Sequence, residues 1–442
     1  MARAEHLFRA ATAALLLTAS ATAPLVAQQA PAAITLAEAL RRTEEVTPGV
    51  VSGRGSVRSA ELAVRQAKWA FIPQLTLVPQ ANLLMNSGQQ RVDPITGAVV
   101  SGNTTNPSYG MNVSASLPLF DGFARNHTLR AARAREDAAD ANYTTSRFSA
   151  ALAVTNAFFD ALANKELLQV SAAAVARAEE QLKVATARLR SGSGQRTDSL
   201  TALVTLGQAR QNRLTAQANL ANAEATLGRL VGSESRVAAI ADSAFYRTPS
   251  SLDTTALRGE AMQQAPALVA SGANLRASKA QLSQQKSAYW PTLNISAGSN
   301  FNASKTNDYT LEARRQLQIA FTIQPWTNYT RETQIENQSI AVDNAEATLA
   351  DQRRQISAQL TQNFASLANA QEAIEVAKAS VQASEENVRV AEQRYRLGVM
   401  TIVEMMQIQE QLTQAQVNEV QARFTYLRTK AQIESIVGRR LP

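Results

Sequence analysis

Residues 154–189 read VTNAFFDALANKELLQVSAAAVARAEEQLKVATARL, and every seventh position is apolar: Val154, Ala161, Leu168, Val175, Leu182 and Leu189. The spacing returns 206 residues later as Leu360, Leu367, Ile374, Val381, Val388 and Tyr395. Small or short polar residues stand between them, Ala157, Asn164, Ser171, Ala178 and Ala185 in one stretch and Asn363, Ala370, Ala377, Ser384 and Ala391 in the other. A seven-residue period sustained this long marks helices packed along a coiled-coil seam. Its recurrence at a constant offset implies a chain built twice.

Working outward, the first stretch belongs to a helix predicted over residues 124–190, on the order of 100 Å long at 1.5 Å per residue. Ser191-Gly192-Ser193-Gly194 breaks it, and a return helix is predicted from about Arg196 to Leu230, closed by Gly232. The second copy enters through Pro325-Trp326-Thr327-Asn328, turns at Gly398 and ends at Gly438. Before each long helix the period changes from seven to two. Leu75, Leu77, Ala81, Leu83 and Met85 alternate with Thr76, Gln80, Asn82 and Asn86, and Tyr109, Met111, Val113, Ala115, Leu117 and Leu119 alternate with Asn112, Ser114 and Ser116. Leu293, Ile295, Ala297 and Phe301, then Leu317, Ile319, Phe321 and Ile323, repeat the pattern. These are four strands with one apolar face each. Ser87–Ser108, rich in Gly, Asn, Pro and Ser, reads as a polar loop, and its counterpart in the second half is twelve residues shorter. Helices opened by Pro48 and Pro266 precede the strand pairs, and a short amphipathic helix is predicted from Ile34 to Glu44.

The divisions that follow are residues 1–27, 34–232 as a first repeat, 233–253 as an irregular connector, and 254–438 as a second repeat, with strand regions 73–119 and 291–323. Met1 to Ala27, with Arg3 and Arg9 ahead of a short apolar run, reads as a secretory signal peptide cleaved after Ala27. Its removal takes the formal charge from +8 to +7. Lysines and arginines are scattered along helices without interleaved aromatics, and with an export signal this excludes nucleic acid as a partner. Cysteine is absent, so disulfides, thiolate metal sites and cysteine nucleophiles are excluded, and no cofactor is called for. Beyond the signal, no run of eighteen apolar residues exists to cross a bilayer as a helix.

One-sided strands suit either a soluble sandwich or a membrane barrel with lipid outside and a wet lumen inside. Trp69, Phe71, Tyr109, Phe120, Phe123, Tyr289, Trp290, Trp326 and Tyr329 at the strand ends favour the barrel, as an interfacial belt. Four strands cannot close one, and an open edge does not persist in lipid. The barrel is then shared between chains, and a hollow one needs at least three.

With these residues in place, the chain resembles the outer-membrane efflux protein family, the TolC-like channel-tunnels. The likeness is carried by Ile34-Thr35-Leu36-Ala37-Glu38-Ala39-Leu40, Phe71-Ile72-Pro73-Gln74-Leu75 and Leu117-Pro118-Leu119-Phe120-Asp121-Gly122. Arg394-Tyr395-Arg396-Leu397-Gly398 running on to Glu404, with its degenerate copy from Arg188 to Asp198, adds to it. It spans Ile34 to Leu441. The resemblance implies a mixed α+β membrane protein, a homotrimer with a twelve-stranded outer-membrane β-barrel continued by a long α-helical coiled-coil tunnel across the periplasm. It implies outer-membrane lipid around the barrel and docking to a periplasmic adaptor and an inner-membrane transporter. The chain stops four residues after Gly438, without the longer tail of some members.

Candidate residues follow. Thr401-Ile402-Val403-Glu404 reads as a capping box, and Gly398 suits a left-handed helix end. The resemblance makes Gly192, Ser193, Gly398, Val399 and Thr401 adaptor-contacting tips. It also implies a gate near the tips with acidic residues facing the lumen, for which Glu385, Glu386, Glu392, Glu179 and Glu180 are the nearest candidates, opened by sliding of helices near Val388 and Tyr395. Asp198 is assigned to capping and the helix dipole, His127 to a helix surface near the barrel base, and Asp93 and Asp308 to polar loops. Two rivals fit less well. A structural or adhesive cell-envelope coiled coil leaves the one-sided strands unexplained. A secreted enzyme has one histidine after processing and no Gly-x-Ser-x-Gly elbow to work with.

Overall fold

The computed structural model describes residues 32–92, 95–246, 253–304 and 308–441. The signal segment 1–27 and Asp93 lie outside them. In chain order the elements are β1 (Ala32–Ile34), α1 (Leu36–Val46), α2 (Pro48–Trp69), β2 (Gln74–Val92), β3 (Val99–Phe120), α3 (Ala124–Arg190) and α4 (Arg196–Leu230). After them come β4 (Val237–Ala239), α5 (Thr254–Gln264), α6 (Pro266–Lys286), β5 (Thr292–Ser304), β6 (Glu312–Thr322), α7 (Thr330–Arg396) and α8 (Ile402–Val437).

The heptads form long rods, because an uninterrupted apolar seam rewards every added turn with another buried pair. Helices α3 and α7 are each 67 residues long. Along α7 the predicted seam is enclosed at Leu360, Leu367, Ile374, Val388 and Tyr395, with Ala370, Ala377 and Ala391 buried between them. Along α3 the buried positions include Val154, Ala157, Ala161, Val175, Ala178 and Ala185. Each rod folds back on its return helix, α3 against α4 and α7 against α8, while α6 packs against both rods and α2 against α3. Midway along, Phe158, Phe159, Leu162, Leu227 and Phe424 make the thickest core, with Phe159 edge-on to Phe245 at 5.3 Å between ring centroids.

The short helices begin where local chemistry sets them. Helix α1 starts at Leu36, two residues later than the pattern implied, because Thr35 Oγ1 accepts the Glu38 amide as its cap. Ile34 instead pairs in β1 with β4 of the connector, so residues 233–253 are not wholly irregular. Asp253 caps α5 by accepting the Thr255 and Ala256 amides. Proline opens α2 and α6 at their first position, as expected.

The sheet has the order β2-β3-β5-β6, all neighbours antiparallel, which leaves β2 and β6 as its edges. Its register gathers the apolar alternation onto one face, with rows such as Leu75, Ala115, Ala297 and Leu317. The polar loop expected at Ser87–Ser108 is a correction: pairing continues past a register shift between Asn86 and Gln89 to Val92 opposite Val99. Strands β2 and β3 are 19 and 22 residues long against 13 and 11 for β5 and β6, so the extra residues of the first half lengthen its strands. Ladder hydrogen bonds need backbone only, and polar side chains outside an apolar medium leave no hydropathy signal to read. Among the described residues, no helix is long and apolar enough to cross a membrane.

The junction between sheet and rods is an elbow built from two matching sites. Asp121 Oδ2 accepts both the backbone amide and Nε of Arg125, whose guanidinium lies 5.1 Å from the Phe71 ring centroid. Arg331 repeats this 206 residues on, 4.2 Å from the ring of Tyr289, with Thr327 Oγ1 accepting its amide. Gly122 at φ +66° packs so closely that a Cβ there would fall 2.4 Å from Cβ of Trp290. Trp69, Trp290, Trp326 and Tyr329 surround this level and are exposed.

Candidate functional site

At the far end of the rods, both helical hairpins turn by the same backbone device. Gly192 and Gly398 take left-handed φ of +75° and +80°. The Ser193 amide donates to Arg188 O at 2.9 Å and that of Val399 to Arg394 O at 3.1 Å, while Gly192 and Gly398 donate to Leu189 O and Tyr395 O. This is the Schellman arrangement, which uses glycine because the left-handed position crowds a Cβ. The outgoing helix of the second tip carries the expected capping box, with Thr401 Oγ1 accepting the Glu404 amide and Glu404 Oε2 accepting that of Thr401 at 2.9 Å. The Thr401 amide and hydroxyl hold the Glu404 carboxyl below its ordinary range. The first tip has no such cap. Gln195 occupies the N-cap without a side-chain bond, so Asp198 acts only as a first-turn charge on α4, a correction to its capping role.

One residue that the heptad reading passed over joins the tips. Arg188, on the last turn of α3, donates from Nη1 to Tyr395 O at 2.9 Å and lies 4.9 Å from the Tyr395 ring centroid. A cation over the carbonyl end of α7 is stabilised by the helix dipole as well as by the bond. Tyr395 is 2% exposed among Ala185, Ala202, Ala391, Ile402 and Met405, and its enclosed hydroxyl has no hydrogen-bond partner among the described residues. Burial raises the phenol pKa, and the charge of Asp198 adds to the rise. Its heptad position was legible; the arginine stacked on it was not, since cross-helix contact requires the register between rods.

Of the five proposed contact residues, Gly192, Ser193, Gly398, Val399 and Thr401 are all exposed. Leu397 and Val403 beside them, 79% and 61% exposed, extend an apolar rim that sequence reading left out.

The five glutamates divide. Arg210 Nη2 pairs with Glu179 at 2.8 Å and holds its carboxyl low, and Arg389 does the same for Glu386. Glu180 pairs with Lys183 at 3.3 Å but also lines, with Glu392, a cleft of about 260 Å³ between α3, α7 and α8. Arg177, Gln181, Tyr395 and Gln409 share that cleft. Burial lowers the Arg177 pKa, while Glu392 and Glu410 act to raise it, and its Nη2 donates to Thr413 at 2.9 Å. Glu385 lies elsewhere, in a cleft of about 510 Å³ with Glu166, Tyr246, Glu419 and Arg423. There Tyr246 donates to Glu166 at 2.6 Å and the Arg423 guanidinium lies 5.2 Å from the Tyr246 ring centroid, which ties the connector to α3 and α8. Asp308 and Tyr309 both turn left-handed between β5 and β6, and His127 is half-buried in the first turn of α3. Among the described residues no cluster of carboxylates and histidines could hold a metal ion.

A sheet with one apolar and one polar face is thus joined through an aromatic level to capped helical rods. The chain belongs to the outer membrane efflux protein family, whose sequence model matches residues 39–233 and 257–439. It is 27% identical over 390 residues to protein CyaE of Bordetella pertussis, covering 87% of this chain and 80% of that protein. It is 23% identical over 418 residues to the outer membrane protein TolC of Vibrio cholerae, covering 91% of this chain and 90% of that one. The fold matches the Campylobacter jejuni CmeC outer membrane channel with a TM-score of 0.76 at 14% identity, over 91% of this chain and 85% of that chain. The protein is thus an outer-membrane efflux channel protein with a periplasmic helical extension.

Proposed function

We propose that three copies of the chain assemble into one passive exit duct, the outer-membrane part of a tripartite efflux or type I secretion system. The observation that carries this is the four-stranded sheet, apolar on one face and polar on the other, with β2 and β6 as open edges. Edge strands in lipid need partners. Three sheets joined β6 to β2 close twelve strands around a wet bore, and the rods continue it as a tunnel. The equal rods and matched elbows support descent from a doubled unit.

In this reading the tips dock a periplasmic adaptor through Gly192, Ser193, Gly398, Val399 and Thr401, with Leu397 and Val403 adding apolar contact, and an inner-membrane transporter supplies the energy. The gate is the tip-level cleft, where Glu180 and Glu392 face Arg177 beside Tyr395. Glu179 and Glu386 serve as surface ion pairs, and Glu385 belongs to the mid-rod anchor. Docking opens the gate by sliding the rods near Val388 and Tyr395. The test is reconstitution in planar bilayers with cross-linking of the detergent-solubilised protein: trimers with stepwise currents are expected, and a monomer without currents refutes the duct.

A further inference from the structure

One charge interrupts the apolar face of the sheet. The row Leu75, Ala115, Ala297 and Leu317 is followed toward the hairpin ends by Leu77, Val113, Ser299 and Arg315. Arg315 is exposed, and no ion pair or hydrogen bond engages its guanidinium among the described residues. Its cross-strand neighbour Ser299 does not hold it down, since that enclosed hydroxyl makes no hydrogen bond among the described residues. Arg314 and Glu312 are on the opposite, polar face, opposite Asn300 and Asn302. From Leu75 to Met85 on β2, from Tyr109 to Leu117 on β3, and along the paired residues of β5 and β6, no other charged residue falls on the apolar face.

Closure of the barrel offers Arg315 no counter-ion either. A second copy would set its β2 beside β6, and the apolar face of β2 from Leu75 to Met85 carries Leu75, Leu77, Pro79, Ala81, Leu83 and Met85. None is a carboxylate at any register. An unpaired guanidinium facing lipid is costly at the bilayer midplane and nearly free at its border. From Ile323, beside exposed Trp326, to Arg315 is eight residues, roughly 26 Å along a strand and about 20 Å of height at ~40° tilt. That spans most of an apolar band, with Tyr109 and Tyr309, 6.4 Å apart, at the hairpin-side rim. The long side chain reaches the headgroup level from there.

We propose that Arg315 binds the phosphate of an anionic lipid headgroup in the leaflet on the hairpin side, resting on the barrel reading above. The planar fork suits a phosphate and the flanking apolar residues suit acyl chains. The test is native mass spectrometry of the detergent-released protein after equilibration with phosphatidylglycerol or phosphatidylcholine. Wild type should retain phosphatidylglycerol about fivefold over phosphatidylcholine. Arg315→Gln should abolish that preference, and Arg314→Gln, one residue away on the polar face, should keep it. An unchanged preference in Arg315→Gln, or equal losses in both variants, overturns the proposal. Heat-modifiable migration is checked first: a protein without it overturns the barrel reading itself, before any lipid is counted.

Discussion

Replacing Arg188 by alanine removes a side chain that ties the two hairpin tips together. The charge-assisted bond to Tyr395 O is part-buried and 2.9 Å long, and such a bond contributes about 2 kcal/mol. Stacking on the Tyr395 ring at 4.9 Å adds ~0.5–1 kcal/mol. Losing roughly 2–3 kcal/mol from the closed arrangement shifts the closed-to-open ratio by about 30- to 150-fold. The tips themselves should persist, because their turns rest on backbone bonds to Arg188 O and Arg394 O that an alanine retains. Arg188→Lys should fall between, keeping the charge but losing the planar fork that bonds the carbonyl and stacks on the ring together. The assay is single-channel recording in planar bilayers, with circular dichroism on the same preparations. A higher open probability with unchanged thermal unfolding is expected. Wild-type currents in Arg188→Ala, or a lowered unfolding temperature with unaltered currents, would refute a gating role.

Other outcomes follow from the same geometry. Gly122→Ala puts a Cβ 2.4 Å from Trp290 at a left-handed φ, so about 2–4 kcal/mol of destabilisation and loss of the heat-modifiable species are expected on electrophoresis. Thr401→Ala removes the cap of α8 and should cost about 1 kcal/mol, read as weakened adaptor binding more than as global unfolding. The Glu404 carboxyl is held low, so its half of the capping box is intact above the ordinary glutamate range and lost as pH falls through its depressed pKa; amide exchange at Thr401 should accelerate there. Glu434 is the opposite case: burial raises its pKa, so the stability it allows at low pH diminishes as pH rises. Glu434→Gln should therefore raise the unfolding temperature at pH 7 and leave it unchanged at pH 4.

Local periodicity carried most of the architecture. A heptad ladder dictates a rod whatever it packs against, and a glycine at a helix end dictates the turn, so α3, α7 and the tips at Gly192 and Gly398 were readable from residue order alone. So was the capping box at Thr401, whose partners lie three residues apart. One-sided alternation likewise marked β5 and β6 and the apolar parts of β2 and β3. It went silent at Ser87–Ser108, where β2 and β3 continue as a polar hairpin, because alternation reports the medium a face meets and not whether backbones pair. What the residue order left undecided were contacts between segments far apart in the chain. Arg188 on Tyr395, Gly122 against Trp290, Tyr246 on Glu166, and the separation of Glu385 from Glu180 and Glu392 all depend on the rotation and offset of one rod against another. That register is set by the summed packing of small residues along the seams, a property of the folded whole that no single heptad contains.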